Sequence, residues 1–153
     1  ASTATAISIL SELAGDNVYN NRFITGTLDP SSGAIGMIGG THYKGLVPLR
    51  LKQVREERGD KTPMYFMFPA GNLADLSRDL ETDPFGLVDK ISCLPVISFP
   101  QAYYLSTCGP IITKKIWEHS EEFGAIKLSE TMKRIKTNLT YSPLKSFVSN
   151  IIN

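Results

Sequence analysis

Along the chain, apolar positions at Ala4, Ala6, Ile7, Ile9, Leu10 and Leu13 recur at spacings of three and four, which predicts a helix from Ala1 to Ala14 with a broad buried face. Ser2 or Thr3 stands where its N-cap belongs, and Gly15-Asp16-Asn17 supplies the turn chemistry that closes it. A β-type run, Phe23-Ile24-Thr25, leads into Asp29-Pro30-Ser31-Ser32-Gly33 and resumes as Ala34 to Ile38 before Gly39-Gly40, so this stretch reads as a hairpin followed by a tight turn. From Lys44 to Gly59 the period is helical. Leu46, Val47, Leu49, Leu51 and Val54 form the expected apolar side, and Arg50, Lys52, Arg55, Glu56, Glu57 and Arg58 the solvated one. Pro48 predicts a late start or a kink there, because it lacks an N–H and clashes with the preceding turn.

The run TPMYFMFP, Thr62 to Pro69, has strand length and no polar alternation, so it is expected to be buried on both faces. Ala74 to Leu80 reads as a short helix with Leu76 and Leu80 inward. Ile91 to Phe99 reads as a second apolar strand that Pro95 confines to an edge or bends, and Pro100 to Ser106 as a helix opening on proline. Beyond Gly109, Ile111 to Phe123 and Leu128 to Leu139 are two amphipathic helices, and Ser142-Pro143 breaks off a short closing segment. Helices alternating with strands around one sheet define an α/β (α+β) class with a C-terminal helical appendage. The expected division is 1–109 for the α/β body and 110–153 for a helical extension packed on it.

Composition narrows the partners more than the fold. The 153 residues are enough for one domain with a real core, and 16 basic against 15 acidic residues leave a formal net charge of +1. That balance argues against a nucleic-acid partner or an anionic membrane surface. No run approaches the length of a membrane span. Cys93 and Cys108 have no metal-ligand spacing and read as one disulfide or two reduced thiols. No phosphate loop of the G-x-x-x-x-G-K-[ST] kind occurs, so no ATP-driven motor is expected in this chain. No cofactor or metal is called for.

Ser2 has two readings. As a cap its oxygen accepts a backbone N–H; as a nucleophile it sits where unpaired N–H groups and the positive end of the helix dipole would stabilise an oxyanion. Thr25 has β propensity, and a lone lysine such as Lys44 usually belongs to the solvated surface. His42 and His119 are read as structural or exposed.

The order of these residues resembles a known pattern. TGTLDPSSGAIGMIGGTHYK, Thr25 to Lys44, is similar to the signature of the Lon-type serine proteases: Thr-Gly at a strand end, a Gly-rich hairpin, then Gly-Gly-x-x-x-Lys before a helix. Ser2 with its small-residue helix resembles the family's nucleophile segment, and Tyr65 to Pro69 followed by Asn72, and Ile91 to Gly109, resemble the downstream strand, turn and helix. The likeness runs over residues 2 to 109. It implies a Lon protease-like proteolytic domain of the ribosomal-protein-S5 domain-2-like type, lacking its usual N-terminal strands, which an upstream segment or another chain would supply. It further implies an ATP-independent endopeptidase acting on extended or unfolded polypeptide, with Ser2 as nucleophile, Lys44 as general base and Thr25 orienting the lysine. A lysine is a base only when neutral, so the resemblance leads one to expect Lys44 buried near the sheet and within reach of Ser2. The alternative is a non-catalytic module using the same fold for assembly or peptide binding; a homo-oligomer is compatible with both.

Overall fold

The computed structural model describes residues 2–75 and 91–138, together with Asn150. The expected helix with Leu76 and Leu80, and the break at Ser142-Pro143, lie outside the described residues. In chain order the elements are α1 (Thr3–Ala14), β1 (Arg22–Ile24), β2 (Thr27–Leu28), β3 (Ile35–Gly36), α2 (Thr41–Glu57), β4 (Tyr65–Pro69), a 3₁₀ turn (Ala70–Asp75), β5 (Ser92–Val96), α3 (Phe99–Thr107), α4 (Lys114–Glu118) and α5 (Ser120–Asn138). The fold is mixed α/β. Its centre is a three-stranded parallel sheet in the order β1-β4-β5, beside a two-stranded antiparallel hairpin of β2 and β3.

All five residues of β4 are buried, as the uninterrupted apolar run predicts for a central strand covered on both faces. Its alternating side chains feed two cores. Tyr65 and Met67 join Ile24, Leu94 and Val96 under α1, α3 and α5, while Phe66 and Phe68 join Met64, Cys93, Phe23 and Leu49 on the α2 side. Pro95 is tolerated because, among the described residues, β5 is the edge strand of this sheet.

Local signals place several elements as expected. Ser2 caps α1 by accepting from the Thr5 N–H at 3.4 Å, and Gly15 ends the helix at φ 73. Ser98 caps α3, with Pro100 in its first turn. In the hairpin turn the Asp29 carboxylate accepts from the Ser31 N–H at 3.0 Å and from the Ser31 and Ser32 hydroxyls at 2.7 and 2.8 Å. Gly33 completes the reversal at φ 73.

Four expectations are corrected. The run Phe23-Ile24-Thr25 is not a hairpin arm: β1 pairs parallel with β4, Phe23 opposite Phe66, and the hairpin arms are Thr27–Leu28 and Ile35–Gly36. Gly26, at φ 145, is where the chain leaves one sheet for the other. Second, α2 begins at Thr41 and runs on through Pro48. The proline costs the Lys44 carbonyl its i+4 donor without ending the helix. Third, of the expected apolar side of α2 only Leu49 and Leu51 pack on the core; the helix faces the sheet with Thr41, Gly45, Pro48 and Lys52, positions four, three and four apart, leaving Leu46, Val47 and Val54 exposed. The helix comes close to the strand here: a Cβ on Gly45 would lie 3.3 Å from the Phe66 ring, so the small residue suits the inward position. Lys52 is only 5% exposed, and its ammonium reaches the Thr62 carbonyl at 2.6 Å, with its stem lying along the apolar surface.

The fourth correction concerns the C-terminal helices, which divide at His119 and not after Phe123. α5 runs unbroken through Gly124, because that glycine lets it press on α3: a Cβ there would meet the Pro100 carbonyl oxygen at 2.5 Å. Leu128, Met132 and Ile135 carry α5 into the same core as α1 and α3.

Candidate functional site at the carboxyl edge of the sheet

Because β1, β4 and β5 are parallel, their carboxyl ends share one edge, and in open α/β sheets that edge is where ligands bind. Three helix N-termini meet there. α1 starts against the end of β1, with the Thr3 N–H donating to the Gly26 carbonyl at 3.1 Å and Ser2 bridging antiparallel to Thr27. α2 starts after the hairpin from Gly40, which has φ 66 and no side-chain cap. α3 starts at Ser98, which bridges Ala34, and its Phe99 N–H donates to the Gly33 carbonyl at 2.9 Å. First-turn N–H groups and three positive dipole ends therefore converge on one edge.

Gly26 is the joint of this edge. A Cβ at its position would lie 2.6 Å from Ile35 Cγ2, 3.2 Å from Pro69 Cγ and 3.5 Å from Thr3 Oγ1. Strand end, hairpin, β4 terminus and α1 start can approach this closely only around a glycine.

Ser2 lies at this edge as the α1 cap, exposed, its oxygen accepting from the Thr5 N–H. Thr25 follows β1 directly. Its N–H donates to the Met67 carbonyl at 3.0 Å, the last rung between β1 and β4, and its side chain is half-buried with no hydrogen bond among the described residues. Lys44 lies in the first turn of α2, where its N–H donates to the Gly40 carbonyl at 3.1 Å. Its ammonium is exposed and makes no hydrogen bond or ion pair among the described residues. The burial expected of Lys44 is therefore not found, because Lys44 flanks the inner face of α2 while Thr41 and Gly45 occupy it. Ser2, Thr25 and Lys44 belong to elements that start or end at one edge, but no hydrogen bond joins them.

Elsewhere, Cys93 and Cys108 are free thiols, which removes the disulfide alternative. Burial pushes the Cys93 thiol up to about 11, and burial likewise raises Cys108 against the opposing pull of Arg22. Such thiols are poor nucleophiles and poor metal ligands. Among the described residues no cluster of His, Cys, Asp and Glu is arranged to hold a metal, and no helix is long and apolar enough to cross a membrane. His119 ends α4, exposed, with its ring 5.6 Å from that of Phe123. The side chain of His42 lies outside the described residues.

Sequence reasoning missed the polar groups that brace the opposite, amino edge. The Asp16 side chain, 7% exposed, accepts from Tyr103 at 2.6 Å, Arg134 at 2.9 Å, Thr131 at 3.1 Å and Lys127 at 3.2 Å. Burial alone would raise its pKa, but the hydrogen bonds from Tyr103, Arg134 and Lys127 outweigh it and hold the carboxyl at about 2. Only the Gly-Asp-Asn turn was visible in the sequence; the partners lie in α3 and α5.

No protein-family model matches this chain, and neither a curated protein nor a solved structure is similar to it.

Proposed function

We propose that the chain is a Lon-like serine endopeptidase domain of the ribosomal-protein-S5 domain-2-like type, cleaving extended polypeptide without ATP by a Ser-Lys dyad. The observation that supports this reading is the carboxyl edge itself. There the N-terminus of α1, carrying Ser2, is hydrogen-bonded to the residue after Thr25, and the uncapped N-terminus of α2, carrying Lys44, begins at the same edge.

In the proposed chemistry the Ser2 hydroxyl gives its proton to the neutral Lys44 amine as Oγ bonds to the scissile carbonyl carbon. The oxyanion that forms is stabilised by the backbone N–H of Ser2 at the positive end of the α1 dipole. The ammonium then protonates the departing amine as the peptide C–N bond breaks. Water repeats the sequence on the acyl-serine, its proton passing to Lys44 and then to Ser2 Oγ as the peptide acid leaves. Thr25 Oγ1 orients the amine. Lys44 is exposed, so this chemistry requires the edge to be covered, by the substrate or by a partner segment, before Lys44 can act.

A second reading is favoured by one specific observation: Lys44 is exposed and Ser2 is engaged as a helix cap, as in a binding or assembly module that has no dyad to assemble. Hydrolysis of an unfolded fluorogenic polypeptide by the protein, by Ser2→Ala and by Lys44→Ala separates the two. Loss of cleavage in both variants is expected. An inert parent protein, or full activity in either variant, overturns the protease in favour of the module.

A further inference from the structure

We infer that Asn72 is a positioning residue for Lys44, acting through a clamp on the turn that launches α2; the inference rests on the dyad reading of the carboxyl edge. Asn72 lies in the 3₁₀ turn after β4 and is 1% exposed. Its Oδ1 accepts from the Ile38 N–H at 2.9 Å, while its Nδ2 donates to the Ile38 carbonyl at 2.6 Å and to Asp75 Oδ2 at 2.7 Å. One side chain thus serves both main-chain groups of Ile38, as a neighbouring strand would. The donor and acceptor sides of Ile38 also fix which way the amide points.

The clamp matters for Lys44 because two glycines separate Ile38 from α2. A Cβ built on Gly39 would touch nothing within 4 Å, and Gly40 enters α2 at φ 66 without a side-chain cap. The two glycines carry no side chain with which to anchor the turn, so the helix start depends on anchors to either side. Downstream, Gly45 rests on the Phe66 ring and Thr41 is buried. Upstream, the anchor is Ile38 on Asn72, reinforced by Met37 lying over Gly71, where a Cβ would be 2.6 Å from Met37 Cγ. Lys44 sits between these anchors. Both tie α2 to β4 and the turn after it, and β4 is also the strand that holds Thr25 through the Met67 carbonyl. Asn72 therefore sets the lysine in the same frame as the threonine proposed to orient it.

Asn72→Asp is the sharpest test, because it keeps the shape and the acceptor but loses the donor to Ile38 and faces the Asp75 carboxylate. We expect a fall of about 10²-fold in kcat with KM within about threefold, the cost of misplacing a catalytic group by about 1 Å. Amide hydrogen exchange at Ile38 and Lys44 should rise by about tenfold while β4 and α5 keep their protection. Should Asn72→Asp fold poorly, Asn72→Gln, which retains both amide groups but is one methylene longer, is expected to show the same local exchange and kcat pattern. The inference is overturned if the dyad variants are inactive and the Asn72 variants keep the parental kcat, or if exchange at Ile38 and Lys44 is unchanged. Failure of the dyad reading looks different: cleavage survives in Ser2→Ala or Lys44→Ala, or the parent protein is inert.

Discussion

The two edges of the parallel sheet are built on opposite plans. At the amino edge, Asp16 joins the end of α1 to α3 and α5. Arg22 donates from Nε to the Leu105 carbonyl at 2.7 Å, reaches the carbonyls of Gly109 and Pro110 and the Asn21 side chain, and lies 4.8 Å from the Tyr65 ring centre. Asn21 itself donates to the Pro63 and Pro110 carbonyls at 2.7 and 2.8 Å. At the carboxyl edge, Ser2 has one long hydrogen bond, and the side chains of Thr25 and Lys44 have none among the described residues. At the amino edge Asp16, Asn21 and Arg22 each hold several partners. The groups proposed to do chemistry have been left with bonding capacity to spare, which is how a site keeps room for a substrate at little cost to the scaffold.

That contrast can be broken most directly at Asp16. Asp16→Ala strands the buried Tyr103 hydroxyl and releases two partly exposed cations, and is expected to cost about 3 kcal/mol, read as a drop in the denaturant midpoint with an unchanged slope. The same group sets an acid limit. Its pKa in the folded chain, about 2, lies below the ordinary 3.8, so its stabilisation is full above pH 3.8 and is lost as pH falls towards 2. Asp16→Asn should flatten the stability curve across that window; an unchanged acid slope would show that the carboxylate is not the group responsible.

Arg22→Lys comes next, with a loss of about 2 kcal/mol, since a single ammonium cannot serve several carbonyls and lie against a ring at once. Thermal or denaturant melts measure it, and a neutral result would mean that the fork of contacts contributes little. At the other edge the effects on stability shrink while those on activity grow. Ser2→Ala should cost about 0.5 kcal/mol through the weak cap, and Ser2→Gly less. Lys44→Met should change stability by less than about 0.5 kcal/mol, because its ammonium is exposed and unpaired among the described residues. If either substitution unfolds the protein, the carboxyl edge is as structural as the amino edge and the contrast collapses. If both fold and neither cleaves polypeptide, the two edges divide stability from catalysis.

Much of this molecule is legible where the signal is local. The α1 cap at Ser2, its Gly15 ending, the Asp29-to-Gly33 reversal, the buried run of β4 and the proline-led start of α3 each depend on a few adjacent residues whose backbone preferences point one way. The chain order of Ser2, Thr25 and Lys44 was likewise readable, and so was a mixed α/β class from alternating periods.

What the tertiary structure alone decided is which surface each element presents and to whom. The apolar count on α2 favoured Leu46, Val47, Leu49, Leu51 and Val54 as its inner face; Leu49 and Leu51 do pack on the core, but Gly45 lies close against the Phe66 ring, and the helix turns Gly45, Pro48 and Lys52 inward and leaves Lys44 beside the buried face. The run at Phe23 could pair with the hairpin or with β4, and Gly26 resolves it by letting the chain change sheets. The partners of Asp16 and Asn72 lie in segments up to 118 residues away for Arg134 and 34 for Ile38. Periodicity records that a face is apolar, and a cap or a turn records where the backbone bends. Neither carries the steric fit or the long-range hydrogen bond that selects one packing, because those exist only once distant segments share the same space.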